Sequence, residues 1–299
     1  MPMDQDSPLH QSFSDCFNKN TMLDPKWQQM AEDELNETPE NYKEQLNLLQ
    51  HLVSNDKNLA VPDQDDFILR FLRARKFDSH KAFRMLQRYY MMKLKCPELF
   101  KCPLPSEISK VLEFQAQNML VNRDQFGRRV YIIRVDKFDS SKVTIDDIFR
   151  TNILALEQIV REPETQIAGI VVVLDMAGLS LHHARFFTPY YAKRTVEVVQ
   201  ETFPLRFKGF HVVNEPFYFD AIMAVLKPFL KDKIRKRIYL HGSNLSSLHA
   251  FVRPDILPME YGGSAGLFDN RPWHLQLLSE EKYFKKLEEY GYKTDNNEN

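Results

Sequence analysis

The chain predicts a mixed α/β protein: a small N-terminal bundle of helices, then a mostly parallel sheet flanked by helices. Three observations predict it. Residues 23–104 carry four amphipathic helical patterns in succession with no strand pattern between them, as expected of a helical bundle. Residues 167–176, IAGIVVVLDM, form a β-branched apolar run, the mark of a strand buried on both faces. Beyond that run helical and strand patterns alternate, which implies parallel strands joined by crossover helices.

Taken in order, residues 1–22 are polar and aperiodic and are expected to be disordered. Asp24-Pro25 starts a first helix, with Asp as N-cap and Pro in the first turn. A second helix follows Pro39 with Leu46, Leu48, Leu49 and Leu52. A third spans 63–75 with Phe67, Leu69, Phe71 and Leu72. The fourth is expected to be capped by Ser79 and carries Ala82, Phe83, Leu86, Tyr89 and Tyr90. Pro97, Pro103 and Pro105 punctuate the end of this domain, so a second domain is placed at 105–280. It opens with a hairpin pattern in MLVNRDQFGRRVYIIRVD. Thr144 starts a helix with Phe149, Ile153 and Leu156 on one side. The buried run, a helix over 189–202, a strand in FKGFHVVN and a short strand in RIYLHG follow. Residues 281–299 are expected to be a charged, peripheral tail.

One stretch is unusual: NEPFYFDAIMAVLKPFLKDKIRKR, residues 214–237. Phe219, Ile222, Met223 and Leu226 recur at the spacing of one helical face, and Phe217, Ala221 and Val225 extend the apolar surface around it. Pro228 breaks the helix, because it lacks an N–H and its ring clashes with the preceding turn. A basic run follows, in which Lys233 and Arg237 share a face. Local sequence supports two readings. One is a core helix with a solvated, charged end, where cations are favoured by the helix dipole. The other is an oily lid hinged beside an anion-binding edge.

The composition is that of a soluble globular chain, 43% hydrophobic and 27% charged, with a formal net charge of -1. Near-neutrality argues against a general nucleic-acid binder. No apolar run is long enough to span a bilayer, and the first residues lack a signal-peptide core. Cys16, Cys96 and Cys102 form no metal-ligand pattern and read as reduced thiols, so a cytoplasmic location is expected. No phosphate-loop, dinucleotide, nucleophile-elbow or zinc-protease motif is present. His182-His183 point to different faces and do not read as a metal site. Asp175 reads as the cap of the turn after its strand, and His211 and His241 as structural histidines. No cofactor or catalytic residue is expected, and a binding protein is favoured over an enzyme.

At FILRFLRARKFD the chain resembles the CRAL-TRIO, or Sec14-like, lipid-transfer family. The resemblance recurs in order at GRRVYIIRVDKFD, VVVLDMAGLS, FPLRFKGFHVVNEP, KPFLKDKIRKRIYLHG and PDILPMEYGG, from residue 67 to 263. It is nearest to the branch holding alpha-tocopherol transfer protein, cellular retinaldehyde-binding protein and the clavesins. The resemblance implies a helical N-terminal domain and a lipid-binding domain in which a sheet floors an apolar cavity under a mobile lid. It places Phe217, Phe219, Ile222, Met223 and Leu226 on that lid. It also implies a phosphoinositide-binding cleft at Arg75, Arg206, Lys233 and Arg237, with Lys208 as a neighbour. For Arg75 a structural ion pair is the competing reading.

Candidate cavity walls are Phe149, Asn152, Ile153 and Leu156, then Ile170, Val172 and Leu174, then Phe187, Val198, Val199 and Phe203. Plain core packing would look the same. Positions that carry serines in the tocopherol pattern are Asn152 and Leu156 here, so the cargo extends to a retinoid, carotenoid, sterol-like lipid or phospholipid acyl chain. The expected activity is intracellular transfer of a hydrophobic small molecule with phosphoinositide-dependent docking and lid opening, at endosomal or similar membranes. The alternative is a clavesin-like trafficking adaptor that recognises phosphoinositides without delivering cargo.

Overall fold

The computed structural model describes Phe13 and residues 23–100, 104–139, 141–180 and 188–293. Helix α1 (Pro25–Leu35) starts where Asp24 accepts the Lys26 N–H, and it ends at Asn36 in the left-handed conformation, φ 63°. Helix α2 (Pro39–Asn55) is capped by Thr38. A two-residue strand β1 (Leu59–Ala60) precedes α3 (Asp65–Ala74), which is buried from Phe67 to Arg73. Helix α4 (Ser79–Lys95) is capped one residue earlier than expected. The Asp78 carboxylate accepts the Lys81 N–H at 2.9 Å, and the Ser79 hydroxyl is turned inward to donate to Gln45 O at 2.7 Å. Short helices α5 (Pro97–Phe100) and α6 (Ser109–Leu112) lead into the sheet.

The sheet has five strands in the order β2 (Gln117–Met119), β3 (Arg129–Arg134), β4 (Ile170–Asp175), β5 (Phe207–Val213), β6 (Ile238–Leu240). β2 runs antiparallel to β3 and the others run parallel. Helix α7 (Ile145–Ile159) begins at a capping box in which Thr144 and Asp147 satisfy each other's N–H. Helix α8 (Pro163–Ala168) leads into β4, and α9 (Pro189–Glu197) continues into a π-helical turn, Val198–Thr202. After β5 come α10 (Phe219–Leu226), a 3-10 turn over Lys227–Phe229, and α11 (Asp232–Arg235). The α-helical pattern stops just before Pro228, which has no N–H to donate to a preceding carbonyl.

One face of the sheet packs Val130, Ile132, Val171, Val173 and Val213 against Leu248, Val252, Ile256 and Tyr261, partly through α12 (Leu245–His249). The other face lies beneath α7, α9 and α10. Asp175 behaves as a cap: it accepts from Ala177 N–H at 3.0 Å, Asn214 Nδ2 at 2.9 Å and the Tyr261 hydroxyl at 2.9 Å. Between Ile170 and Val171 the β4–β5 register slips by one residue, so that Ile170 pairs with Phe207 and Val171 with Gly209. Lys208 is the extra residue of this bulge. A bulge re-aims the side chains around it, and here Phe207 faces the same side as Phe210, with the two rings stacked at 5.6 Å.

The C-terminal segment corrects the expectation of a peripheral tail. Helices α13 (Arg271–Ser279) and α14 (Glu281–Leu287) are followed by β7 (Gly291–Tyr292), which pairs antiparallel with β1. Phe284 and Leu287 are buried in the main core. The charged residues occupy the outer side of α14, while Phe284 and Leu287, three apart, share its inner side. Among residues 1–22 the described residue up to Leu23 is Phe13, and it departs from the expected disorder: its ring is buried 5.5 Å from that of Trp273.

Candidate functional site

A cavity of about 360 Å³ lies between the sheet and the three helices that cover it. This is within the size range of small-molecule sites. The floor is the β3–β6 face, with Tyr131, Ile133, Val172, Leu174, Phe210, Val212 and Ile238. The walls are Phe149, Asn152, Ile153 and Leu156 of α7, and Ala192, Val196, Val198 and Val199 of α9 and the π turn. The cover is Phe219, Ile222, Met223 and Leu226 of α10 with Leu230 and Ile234 beyond it. Almost all the lining is carbon. The few polar groups are engaged within the wall: the Tyr131 hydroxyl lies 3.0 Å from both Gln117 Oε1 and Asn152 Oδ1, and Asn152 Nδ2 donates to Ile148 O. Burial raises the Tyr131 phenol far above its ordinary pKa, so it stays neutral.

Most of the wall residues expected from sequence are therefore brought together here. Two are not. Ile170 is fully buried at the start of β4 but does not line the cavity. Phe203 leaves the wall for the domain junction, its ring 5.9 Å from that of Tyr89. In both cases ordinary core packing wins. Phe187 and the His182-His183 pair lie outside the described residues. Of the lid set, Phe217 precedes α10 and does not share its inner face. It is 96% exposed, and Ala221 and Ala224 are exposed beside it on the outer side of α10. Tyr131, Phe207 and Phe210 were not anticipated. Alternation in β3 marks Tyr131 and Ile133, but the bulge at Lys208 hides the alternation of β5.

Beside the lid's C-terminal end the expected cations converge. Arg206 donates to Glu34 at 2.5 Å and to Ile167 O, and Lys208 reaches the same Glu34 carboxylate at 2.9 Å. The backbone there is tight: Gly169 has φ +89°, and a Cβ on it would stand 2.3 Å from Arg206 O, so only glycine fits. Arg237 donates to Phe207 O. Burial lowers the Lys233 ammonium pKa, and the positive charges of Arg237, Lys76, Arg206 and Arg75 push it down further. Burial and then Arg206 lower Arg237 as well. Burial raises and the hydrogen bonds from Lys208 and Arg206 lower the Glu34 carboxyl; the lowering wins. Among the described residues Arg75 has no carboxylate partner. Its Nη2 donates to Gln200 O at 3.2 Å and Glu201 O at 3.4 Å, which removes the structural ion-pair reading. Among the described residues no carboxylate pairs with Arg75, Lys76, Lys233 or Arg237. Guanidinium and ammonium groups so placed are chemically suited to bind phosphate oxygens by charge-assisted hydrogen bonds. Lys76, exposed at φ 54°, is a member that motif reading missed.

Among the described residues no group of three or more metal-ligating side chains occurs, and no helix is long and apolar enough to cross a membrane. Cys96 is free and buried.

A sheet-floored apolar cavity under a helical cover defines a lipid-binding α/β domain, here joined to a helical one. The chain belongs to the CRAL/TRIO family: the CRAL/TRIO domain matches residues 115–263 and the CRAL/TRIO N-terminal domain matches residues 28–88. Among curated relatives, the human alpha-tocopherol transfer protein-like protein is 41% identical over 257 residues, 86% of this chain and 75% of that one. Human clavesin-2 is 37% identical over 262 residues, 87% of this chain and 80% of its own length. The crystal structure of Sfh5 aligns over 88% of this chain and 99% of its own, with 14% identity and a TM-score of 0.48. The chain is thus a member of a lipid-binding and lipid-transfer family with tocopherol-transfer-like and clavesin relatives.

Proposed function

We propose that the protein is a non-enzymatic carrier that encloses one hydrophobic molecule and exchanges it at membranes bearing phosphoinositides. The observation that carries this reading is one of continuity. The segment that covers the cavity, residues 219–235, itself carries the cation Lys233 and runs on directly to Arg237. Cargo in the cavity is favoured at roughly 25 cal/mol per Å² of apolar surface removed from water. A bilayer interior offers the same gain, so exchange is nearly balanced in free energy and is controlled by whether the cover opens. In the closed state Phe219, Ile222 and Met223 are buried. Opened, they join Phe217 as an apolar patch of the kind that docks on a membrane. Each cation near an anionic surface adds about 1 kcal/mol, and a headgroup in the cleft favours opening to the extent that it binds the open form better. The carrier works peripherally on the cytoplasmic face of endosomal or similar membranes.

The test uses the double variant Lys233→Glu/Arg237→Glu. Mass spectrometry of lipid co-purifying with the wild-type chain names the cargo. Transfer of that cargo between vesicles is then followed with and without phosphatidylinositol bisphosphate. The variant should keep the cargo and lose the phosphoinositide stimulation. Stimulation that survives the variant refutes the role of the cleft, and a wild-type protein that retains no lipid favours the adaptor reading.

A further inference from the structure

The C-terminal hinge of the cover is held by the π-helical turn, through contacts that neither the cavity nor the cation cluster requires. After α10 the chain passes through the 3-10 turn Lys227–Phe229 and an extended Leu230 before α11. The Gln200 carboxamide spans this passage. Its Nε2 donates to Phe229 O at 3.1 Å and its Oε1 accepts from the Lys231 N–H at 2.7 Å. The next residue, Glu201, takes the Lys231 ammonium on one carboxylate oxygen and the Arg88 guanidinium of α4 on the other. The carbonyls of these same two residues are the ones that accept Arg75. A π turn is a local widening of a helix and is frequent at functional positions. It offers carbonyls to donors outside the helix, which is how Arg75 reaches them. Val198 and Val199 of the turn also line the cavity. One five-residue turn therefore touches the cargo space, the hinge of the cover, the helical domain and an arginine of the cation cleft.

We infer that Gln200 and Glu201 form the latch of the cover, and that Arg75 sets its strength by gripping the same turn from the cleft. Gln200 is a positioning residue: its side chain touches neither the cavity lining nor a cation of the cleft, and acts through the hinge. The inference rests on the reading that the cover opens for exchange, and it names what opening has to break. Opening separates Gln200 from Phe229 O and the Lys231 N–H. A phosphate in the cleft offers Arg75 a charged acceptor, about twice as strong a partner as a neutral carbonyl, and so draws Arg75 off the turn. By linkage, whatever braces the latch weakens phosphate binding by the same factor.

The experiment is hydrogen exchange on the full chain, together with escape of the neutral dye Nile red from the cavity into phosphatidylcholine vesicles free of phosphoinositide. In Gln200→Ala, amides 219–235 should exchange about tenfold faster and the dye should leave about tenfold faster, equivalent to about 1.4 kcal/mol of closed-state bias. The unfolding midpoint should not change, and the affinity for soluble inositol trisphosphate should rise by up to the same factor. Gln200→Glu keeps the acceptor for Lys231 and loses the donor to Phe229, and should fall between. Arg75→Gln should speed exchange at 219–235 without any ligand. Wild-type exchange rates at 219–235 in Gln200→Ala overturn the latch, as does acceleration spread evenly over the sheet. If Gln200→Ala opens while inositol trisphosphate leaves the wild-type cover unmoved, the latch stands and phosphoinositide-triggered release falls.

Discussion

Replacing Glu34 by glutamine asks whether the cation cleft is built to receive polyanions. Glu34 closes α1 and pairs with Arg206 at 2.5 Å and Lys208 at 2.9 Å. Its side chain is 41% exposed, so each pair contributes on the order of 0.2–1 kcal/mol to stability. To an arriving phosphate the same carboxylate is a like charge at close range. At about 6 Å in water two unit charges interact by about 0.7 kcal/mol, and physiological salt roughly halves this. A headgroup with two phosphomonoesters carries about three to four negative charges. Losing the Glu34 charge is then worth about 1.1 kcal/mol to that headgroup, or about sixfold in affinity. For singly charged phosphatidylserine it is worth about 0.3 kcal/mol, less than twofold. Cosedimentation with vesicles of either composition reads the difference, and thermal unfolding should show little change. A Glu34→Gln protein that binds bisphosphate vesicles no better than wild type refutes the reasoning. So does an equal gain on both lipids, because the argument requires the gain to scale with headgroup charge.

Other perturbations reach different parts of the molecule. Phe217 is 96% exposed, and burying such a side chain in lipid contributes about 1.5–3 kcal/mol. Phe217→Ala should weaken vesicle partitioning about ten- to a hundredfold with no change in unfolding midpoint. Val172→Phe adds volume to the cavity floor, where there is space for it; cargo retention by mass spectrometry should fall at least about tenfold while thermal stability holds. Glu162 is fully buried against Arg129 at 2.5 Å and Arg123 at 2.8 Å, and despite burial these partners lower its pKa to about 2. Glu162→Gln should cost about 3–5 kcal/mol in urea unfolding, as expected for breaking a buried pair. Burial, with help from His241 and Arg128, lowers His211 from 6.5 to about 4. The unfolded chain takes up this proton first, so stability is full above about pH 6.5 and falls by up to about 3 kcal/mol as pH drops to about 4. In His211→Gln the slope of the urea midpoint against pH should flatten over that window.

The elements were legible where local chemistry decides them, and obscure where a distant partner does. The β-branched run at 170–175 is a buried strand, but the apolar residues just before it, Ile167 and Ala168, belong to α8, since Pro163 starts a helix and Gly169 turns the chain. The basic cleft was half legible because Lys233 and Arg237 stand close together in sequence. Glu34, which meets Arg206 more than a hundred residues away, carries no signal in its own neighbourhood. Lys76 shares its positive φ with Phe77, and nothing in the local pattern sets it apart as a partner of Lys233. The inner face of α10 followed from its period, whereas Phe217 lies two residues ahead of the helix and outside that period. Ile170 and Phe203 show the limit of periodicity: a wall and a core use the same residues, and only the volume left between elements separates them. Acidic and basic residues around Phe284 and Tyr292 masked an edge that pairs with β1.

The same backbone segments serve both the cavity and the cleft, and this is the physical ground for coupling them. Along β5 and the residue before it, Phe207 and Phe210 line the cavity, while Arg206 and the bulged Lys208 face Glu34. Along α11 and its exit, Ile234 and Ile238 line the cavity, while Lys233 and Arg237 lie among the cations. Packed elements move as units rather than deforming residue by residue. A displacement of α11 that lifts Ile234 from the cavity therefore also shifts Lys233 relative to Arg206, just ahead of β5. In the proposed opening the two forms would present different cation spacings, the differential affinity that linkage demands. Had the cations stood on elements that do not touch the cavity, a headgroup could bind tightly and change nothing.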